Sequence, residues 1–359
     1  MPSDMEVVMS LLADTIAQIA PLDAGVMQAA RARQDMLTKP QGALGRLESL
    51  SIQIAGITGQ VRPQLKQPAV VVMAGDHGVA AQGVSAFPSE VTPQMVLNFL
   101  HGGAGINVLA RHVGARVVIV DVGVASEIPA HPDLVSRKIA PGTRDFSVEP
   151  AMSREQAQQA VEVGIAVAVE AIDAGADILA TGDMGIANTT ASSALVAAVS
   201  GMSVAEVTGR GTGVDDAGLA HKVAVIEQAL KLHNPNPADG LDLLSKVGGL
   251  EIAGLAGVII GAASRRVPVV IDGFISGAAA LVAAALAPES KAYMIAGHRS
   301  VERGHQAVFG SLDLEPVFDL NLRLGEGTGA VLAISVCQAA CKILDEMATF
   351  GEAGVSGKE

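Results

Sequence analysis

Tryptophan is absent from this 359-residue chain, tyrosine occurs once and phenylalanine seven times. So few rings leave little with which to stack successive bases of a nucleic acid. Basic residues are in deficit, 24 Lys and Arg against 37 Asp and Glu, a formal net charge of −13. A phosphate backbone demands a basic face, so a nucleic-acid partner is excluded, whereas a local cationic pocket for one phosphate is not. Two cysteines, Cys337 and Cys341, are too few for a disulfide framework and wrongly spaced for a zinc ribbon. One helical turn apart, they read as small buried residues. The most apolar segments, Leu250–Ala263 and Phe274–Ala287, are too short or too glycine-rich for a membrane span of about 20 residues. The opening segment MPSDMEVVMS lacks a basic start followed by an apolar core, so no signal peptide is expected, and a reducing cytoplasm is the expected setting.

What the chain does have is glycine, 40 residues of it, and a hydrophobic half. Five short apolar runs each end in glycine beside a polar residue: VVVMAGDHG (70–78), VVIVDVG (117–123), ILATGDMG (178–185), VVIDGF (269–274) and MIAGHRS (294–300). Runs of this length, separated by helix-like sequence, read as buried parallel strands. Ligands bind beyond the carboxyl ends of such strands. Asp76, Asp121, Asp183, Asp272 and His298 are therefore expected to ring one small-molecule site.

The first sixty residues read as helices, with Val8, Leu11, Leu12, Ile16 and Ile19 at helical spacing and Asp23 placed to cap the next helix. From Pro68 to about Ser335 strands and helices alternate, with Val124–Thr143 expected as a long irregular connection. The fold class is α/β, a parallel sheet flanked by helices. Residues 1–62 and about 336–359 are expected to pair as a small helical domain beside a large α/β domain, 63–335.

Several constellations carry chemistry. The loop TGDMGIANTT (181–190) joins a strand to a helix whose first amides can hold a phosphate. It has neither the P-loop lysine nor the dinucleotide glycine fingerprint, which also disfavours a nicotinamide-dependent dehydrogenase. Lys222, after GRGTGVDDAGLAH, is either a phosphate counter-ion or a solvated surface lysine. Asp215 and Asp216 read best as helix caps. Glu326, between glycines in GEGTGA, is either a base with a raised pKa or a charge complementing a helix N-terminus. Phe87 either flanks an aromatic ligand or packs. His77, His298 and His305 carry no HExxH and read as satisfied strand-end histidines.

Together LTKPQGALGRLE (37–48), AGDHGV (74–79), GVSAFPSEVT (83–92), GDMGIANTT (182–190), GRGTGVDD (209–216), IDGFISGAAA (271–280), GHRSVERGH (297–305) and LRLGEGTGA (322–330) resemble the nicotinate-nucleotide–dimethylbenzimidazole phosphoribosyltransferase family. The resemblance implies a Rossmann-like homodimer that needs no cofactor or metal. Its implied substrates are nicotinate mononucleotide and 5,6-dimethylbenzimidazole. It implies Glu326 as catalytic base, and Ser85 and Gln94 in the stretch around the benzimidazole, beside which Phe87 stands as a further candidate. Gly185, Lys222, Asp272 and Ser300 fall in the motifs around the phosphoribosyl group, and Asp183 is a further substrate-binding candidate. Family members often carry Glu where this chain has Asp183, and Gly where it has Ala187. A non-catalytic nucleotide-binding regulator would keep the phosphate loops without needing Glu326.

Overall fold

The computed structural model describes residues 10–356; Val8 and most of the opening ten residues lie outside them. Six strands form one sheet: β1 (Pro68–Gly75), β2 (Arg116–Gly123), β3 (Leu134–Ser136), β4 (Ile178–Met184), β5 (Val269–Ile271) and β6 (Met294–Ala296). Their order is β3-β2-β1-β4-β5-β6, with every pair parallel. This is a doubly wound order, and the direction of winding reverses between β1 and β4.

Why the strands read as unbroken apolar runs follows from their surroundings. Every residue of β1 is buried. Successive side chains point to opposite faces, so Ala69, Val71 and Met73 enter one core while Val70, Val72 and Ala74 enter another. Helices Arg154–Asp173, Asn188–Ser200, Leu250–Ser264 and Phe274–Leu286 build the first core. Helices Arg46–Thr58, Val91–Leu100, Gly105–Val113 and Thr328–Glu346 build the second. Arg154–Asp173 and Leu250–Ser264 touch backbone to backbone. A methyl on Gly164 would run into the Gly254 carbonyl, and one on Gly257 into that of Val161.

Two elements depart from the expectation. The stretch 124–143 contains β3, a half-exposed strand of three residues that pairs only with β2. Without a buried face it has no apolar run to announce it. Helix Gly240–Val247 also lay unread; Asp239 caps it by accepting from the Leu241 and Asp242 amides. Asp23, Ser153 and Asp215 cap as expected, each accepting from the third residue on, whereas Asp216 is the first helical residue and pairs with Arg210 instead.

Helices from the N-terminal and C-terminal parts of the described chain meet on one side. Ala30, Ile52, Ala55 and Leu344 form a small core between helices Ala24–Met36, Arg46–Thr58 and Thr328–Glu346. Arg33 Nε donates to the Leu344 carbonyl at 2.6 Å, and Arg62 pairs with Asp345 at 2.5 Å. Helix Leu11–Ala17 lies instead on the large α/β body, its Leu12 amide donating to Glu162 at 3.3 Å. By length and composition Thr328–Glu346 is apolar enough to cross a membrane, but its inner face is packed into the second core. Cys337 and Cys341 are buried on that face, and burial pushes the Cys337 thiol up to about 12.

Candidate active site

Beyond the carboxyl ends of β4, β5 and β6 lies a cavity of about 420 Å³. Phe87, Val91 and Met95, from the connection after β1, form one wall. The turns after β4 and β5 form the floor, and they present the N-termini of helices Asn188–Ser200 and Phe274–Leu286. Gly211, Thr212 and the segment Arg323–Glu326 close the rest.

Glu326 has a left-handed backbone, φ 62°, between Gly325 at 79° and Gly327 at 93°. A non-glycine residue adopts this conformation only where its surroundings hold it. Here Gly182 holds it from below, since a methyl there would strike the Glu326 carbonyl. Asp272 holds it from behind, accepting from the Gly327 amide at 3.2 Å and the Ala330 amide at 2.9 Å. Glu326 Oε2 accepts from the Ile106 amide at 3.0 Å. Burial raises its pKa, the Ile106 hydrogen bond opposes the rise, and Asp272 adds to it. A carboxylate shifted upward is suited to accept a proton near neutral pH. The helix-terminus alternative is half realised: the carboxylate does cap a helix, but Gly105–Val113 rather than the one that follows it.

Close beside the Glu326 loop, against Gly325, Asp183 Oδ2 accepts from Asn188 Nδ2 at 3.0 Å, while Oδ1 has no partner among the described residues. Burial, then the charges of Asp272 and Glu251, hold the Asp183 carboxyl well above the usual range. Lys222 is only 1% exposed, so it is no surface lysine. Its ammonium donates to Thr189 Oγ1 at 2.7 Å. Burial lowers its pKa to about 8, with Glu302 pulling the other way.

The cavity wall also takes Gly185, Ser300 and Phe87, the last 53% exposed at the mouth. Ser85 stands behind Thr212, the two hydroxyls 3.2 Å apart. Gln94 is exposed and off the wall, which takes Val91 and Met95 from the same helix. Lys222 and Asp272 lie one layer back. Thr189, Thr212, Glu302 and Arg323 line the cavity without having been singled out. All four stand inside the quoted motifs, where a hydroxyl beside a phosphate loop and a cation before the glutamate are among the available signals. Arg323 donates to the Gly211 carbonyl at 3.2 Å and so bridges two loops.

A phosphoribosyltransferase family profile matches residues 19–355. The chain belongs to that family. It is 75% identical over 350 residues to the nicotinate-nucleotide–dimethylbenzimidazole phosphoribosyltransferase of Roseiflexus sp. (strain RS-1), covering 98% of this chain and 99% of that one. The Chloroflexus aurantiacus protein of the same name is also 75% identical, covering 98% of this chain and all of its own. The crystal structure of the Thermus thermophilus enzyme of that name superposes with a TM-score of 0.89 at 47% identity, over 94% of this chain and 100% of that one.

Within this family fold the expected ring of strand-end residues splits in two. Asp183, Asp272 and His298 gather at the cavity, with His298 Nε2 3.6 Å from Asp272 Oδ1. Asp76 and Asp121 do not join them. Asp76 Oδ2 accepts from the Ala125 amide and Asp121 Oδ1 from the Val124 amide, both at 2.8 Å, and Lys138 Nζ is 3.5 Å from Asp121. The physical reason is local closure: the loop after β2 folds back onto both acids. Beside them His77 Nε2 lies 2.5 Å from Glu251 Oε1, both side chains fully buried. Burial pushes the His77 imidazolium down, but Glu251 and then Asp76 outweigh it and hold its pKa above the ordinary value. His305 Nδ1 accepts from the Ser300 amide at 2.9 Å, and burial, His298 and Arg299 lower its pKa to about 3. It is therefore neutral at pH 7 and fixes Ser300.

Proposed function

We propose that the chain transfers the phosphoribosyl group of nicotinate mononucleotide to 5,6-dimethylbenzimidazole, giving α-ribazole 5′-phosphate and nicotinate for the nucleotide loop of cobalamin. One observation carries this reading: a buried carboxylate with a raised pKa, Glu326, and a phosphate-type corner backed by Lys222 and Thr189 face one cavity. Relatives that are 75% identical bear the name of that reaction.

The 5′-phosphate is placed on the amides beginning at Gly185, on Ser300 and toward Lys222. Asp183 keeps Asn188 in position and turns its free oxygen to the ribose. The benzimidazole lies by Phe87 and the Ser85 loop, against the helix that carries Gln94. The pyridinium nitrogen of the donor is cationic, so the C1′–N bond breaks with its electron pair passing to nicotinate. One benzimidazole nitrogen forms the new bond to C1′ from the opposite face, and Glu326 takes the proton from the other. Inversion converts a β-linked into an α-linked nucleotide. Asp272 acts one layer back, fastening the loop that presents Glu326. Because the leaving group already carries the charge, no metal clamp is required, and turnover is expected to survive chelation. Loss of activity restored by a divalent ion would overturn that point. A cytoplasmic homodimer, with the terminal helices as a small helical domain, completes the proposal.

Incubation with both substrates, followed by chromatography for nicotinate and α-ribazole 5′-phosphate, tests it. Release of nicotinate that requires the benzimidazole is expected. Binding without turnover would favour a regulator, and no binding would reject both.

A further inference from the structure

Glu326 lies at the carboxyl side of the sheet, but the group that grips its carboxylate comes from elsewhere. Helix Gly105–Val113 follows the helix after β1, 220 residues earlier than Glu326 for the Ile106 contact. Its start is itself fixed: Asn107 Oδ1 accepts from the Ala104 amide at 3.1 Å, and Asn107 Nδ2 donates to the Phe99 carbonyl at 3.0 Å. At Gly105 a side chain would crowd the carboxylate and displace the exposed end of Leu324. A methyl would lie 2.9 Å from Leu324 Cδ2 and 3.3 Å from Glu326 Oε2.

We propose that the N-terminus of helix Gly105–Val113 positions the catalytic base, with the Ile106 amide holding one carboxylate oxygen so that the other is presented to the acceptor. The inference rests on Glu326 being that base. Oε1 has no hydrogen-bond partner among the described residues, so it is the oxygen free to take a proton. The charged and titratable groups around the carboxylate are Asp183 at the end of β4, Asp272 after β5, His298 and Glu302 after β6, and Arg323 on its own loop. Arg111, on the positioning helix, is directed to the Gly102 carbonyl at 2.9 Å. The helix N-terminus favours the ionised form, while the two aspartates oppose it. Its contribution is to keep Glu326 a competent base at neutral pH instead of a neutral acid.

Replacing the Ile106 residue by its α-hydroxy analogue turns the amide into an ester and deletes the one donor without altering a side chain. The acid limb of the kcat–pH profile is expected to move up by about one to two pH units, with both KM values unchanged. Gly105→Ala, which crowds the same oxygen, is expected to lower kcat and move the limb in the same direction while the unfolding midpoint stays close to that of the parent. Glu326→Gln separates the two levels. If that variant retains full activity, the base assignment fails and this inference with it. If it is inactive while the ester and Gly105→Ala keep the parent acid limb, the base stands and the positioning role is overturned.

Discussion

At the ends of β1 and β2, Asp76 and Asp121 are answered by the next loop, whose amides at 124 and 125 and whose Lys138 reach them within 3.5 Å. At the ends of β4 and β5, Asp183 and Asp272 stand instead at an open cavity whose wall includes Asp183. Asp272 anchors a helix start through both oxygens, and Asp183, which like Asp76 has one oxygen without a partner among the described residues, holds its carboxylate on the cavity wall. The closed half contains His77 against Glu251, an imidazole whose pKa that partner holds above the ordinary value. The open half gathers Asp183, Asp272 and Glu326 and sets Lys222 one layer back. The difference teaches that a strand-end acid is not a site by itself. It becomes one where the following loop leaves space and charge unbalanced, because a ligand then completes what the protein has not.

The sharpest break between the halves is Glu326→Gln, which should cut turnover by about 10²–10⁴-fold while leaving substrate affinity and unfolding stability nearly unchanged. Steady-state kinetics alongside urea unfolding checks it, and a parallel loss of stability would erase the distinction. In the closed half the pattern should reverse. His77→Leu leaves the Glu251 carboxylate buried without its partner, a loss of about 3–5 kcal/mol in unfolding free energy, with the pH dependence of kcat preserved. The sign with pH follows from the raised His77 pKa. Its stabilisation is fully present below the unfolded-state value and fades as pH rises through the folded one, so the gap between parent and variant should narrow at high pH.

Lys222→Ala tests the phosphate side of the open half. Donor binding should weaken by about 10- to 100-fold and benzimidazole binding hardly at all, measured by separate titrations. With its pKa near 8, donor affinity of the parent should decline as pH rises past that value, and Lys222→Arg should abolish the decline. The smallest effect concerns Ala187, whose φ of 72° is left-handed at the N-cap of helix Asn188–Ser200. Ala187→Gly should stabilise the fold by about 1 kcal/mol, read from the urea midpoint, because the Cβ clash disappears.

Much of this was legible because buried parallel strands must be apolar on both faces, so five of them stood out as runs. β3 did not, since a three-residue edge strand needs no such run. Glu326 and Lys222 were legible as candidates from their glycine loops, yet their states were not. Lys222 reads like any helical lysine until the fold closes around it. Asp76 and Asp183 were indistinguishable in sequence because each follows an apolar run. What separates them is the company each keeps: the loop after β2 folds onto Asp76, whereas Asp183 is held by Asn188 on the wall of the cavity. The Ile106 contact left no trace at all, because a backbone donor has no residue identity.

That contact also orders events in time. At about 5–20 residues per second of synthesis, the 220 residues between Ile106 and Glu326 separate donor from acceptor by roughly ten to forty seconds. All six strands have been made before the carboxylate exists, and through that interval the Ile106 amide waits for its partner. The cavity is thus among the last parts of the molecule to be finished, and turnover reports complete folding more strictly than any signal from the sheet.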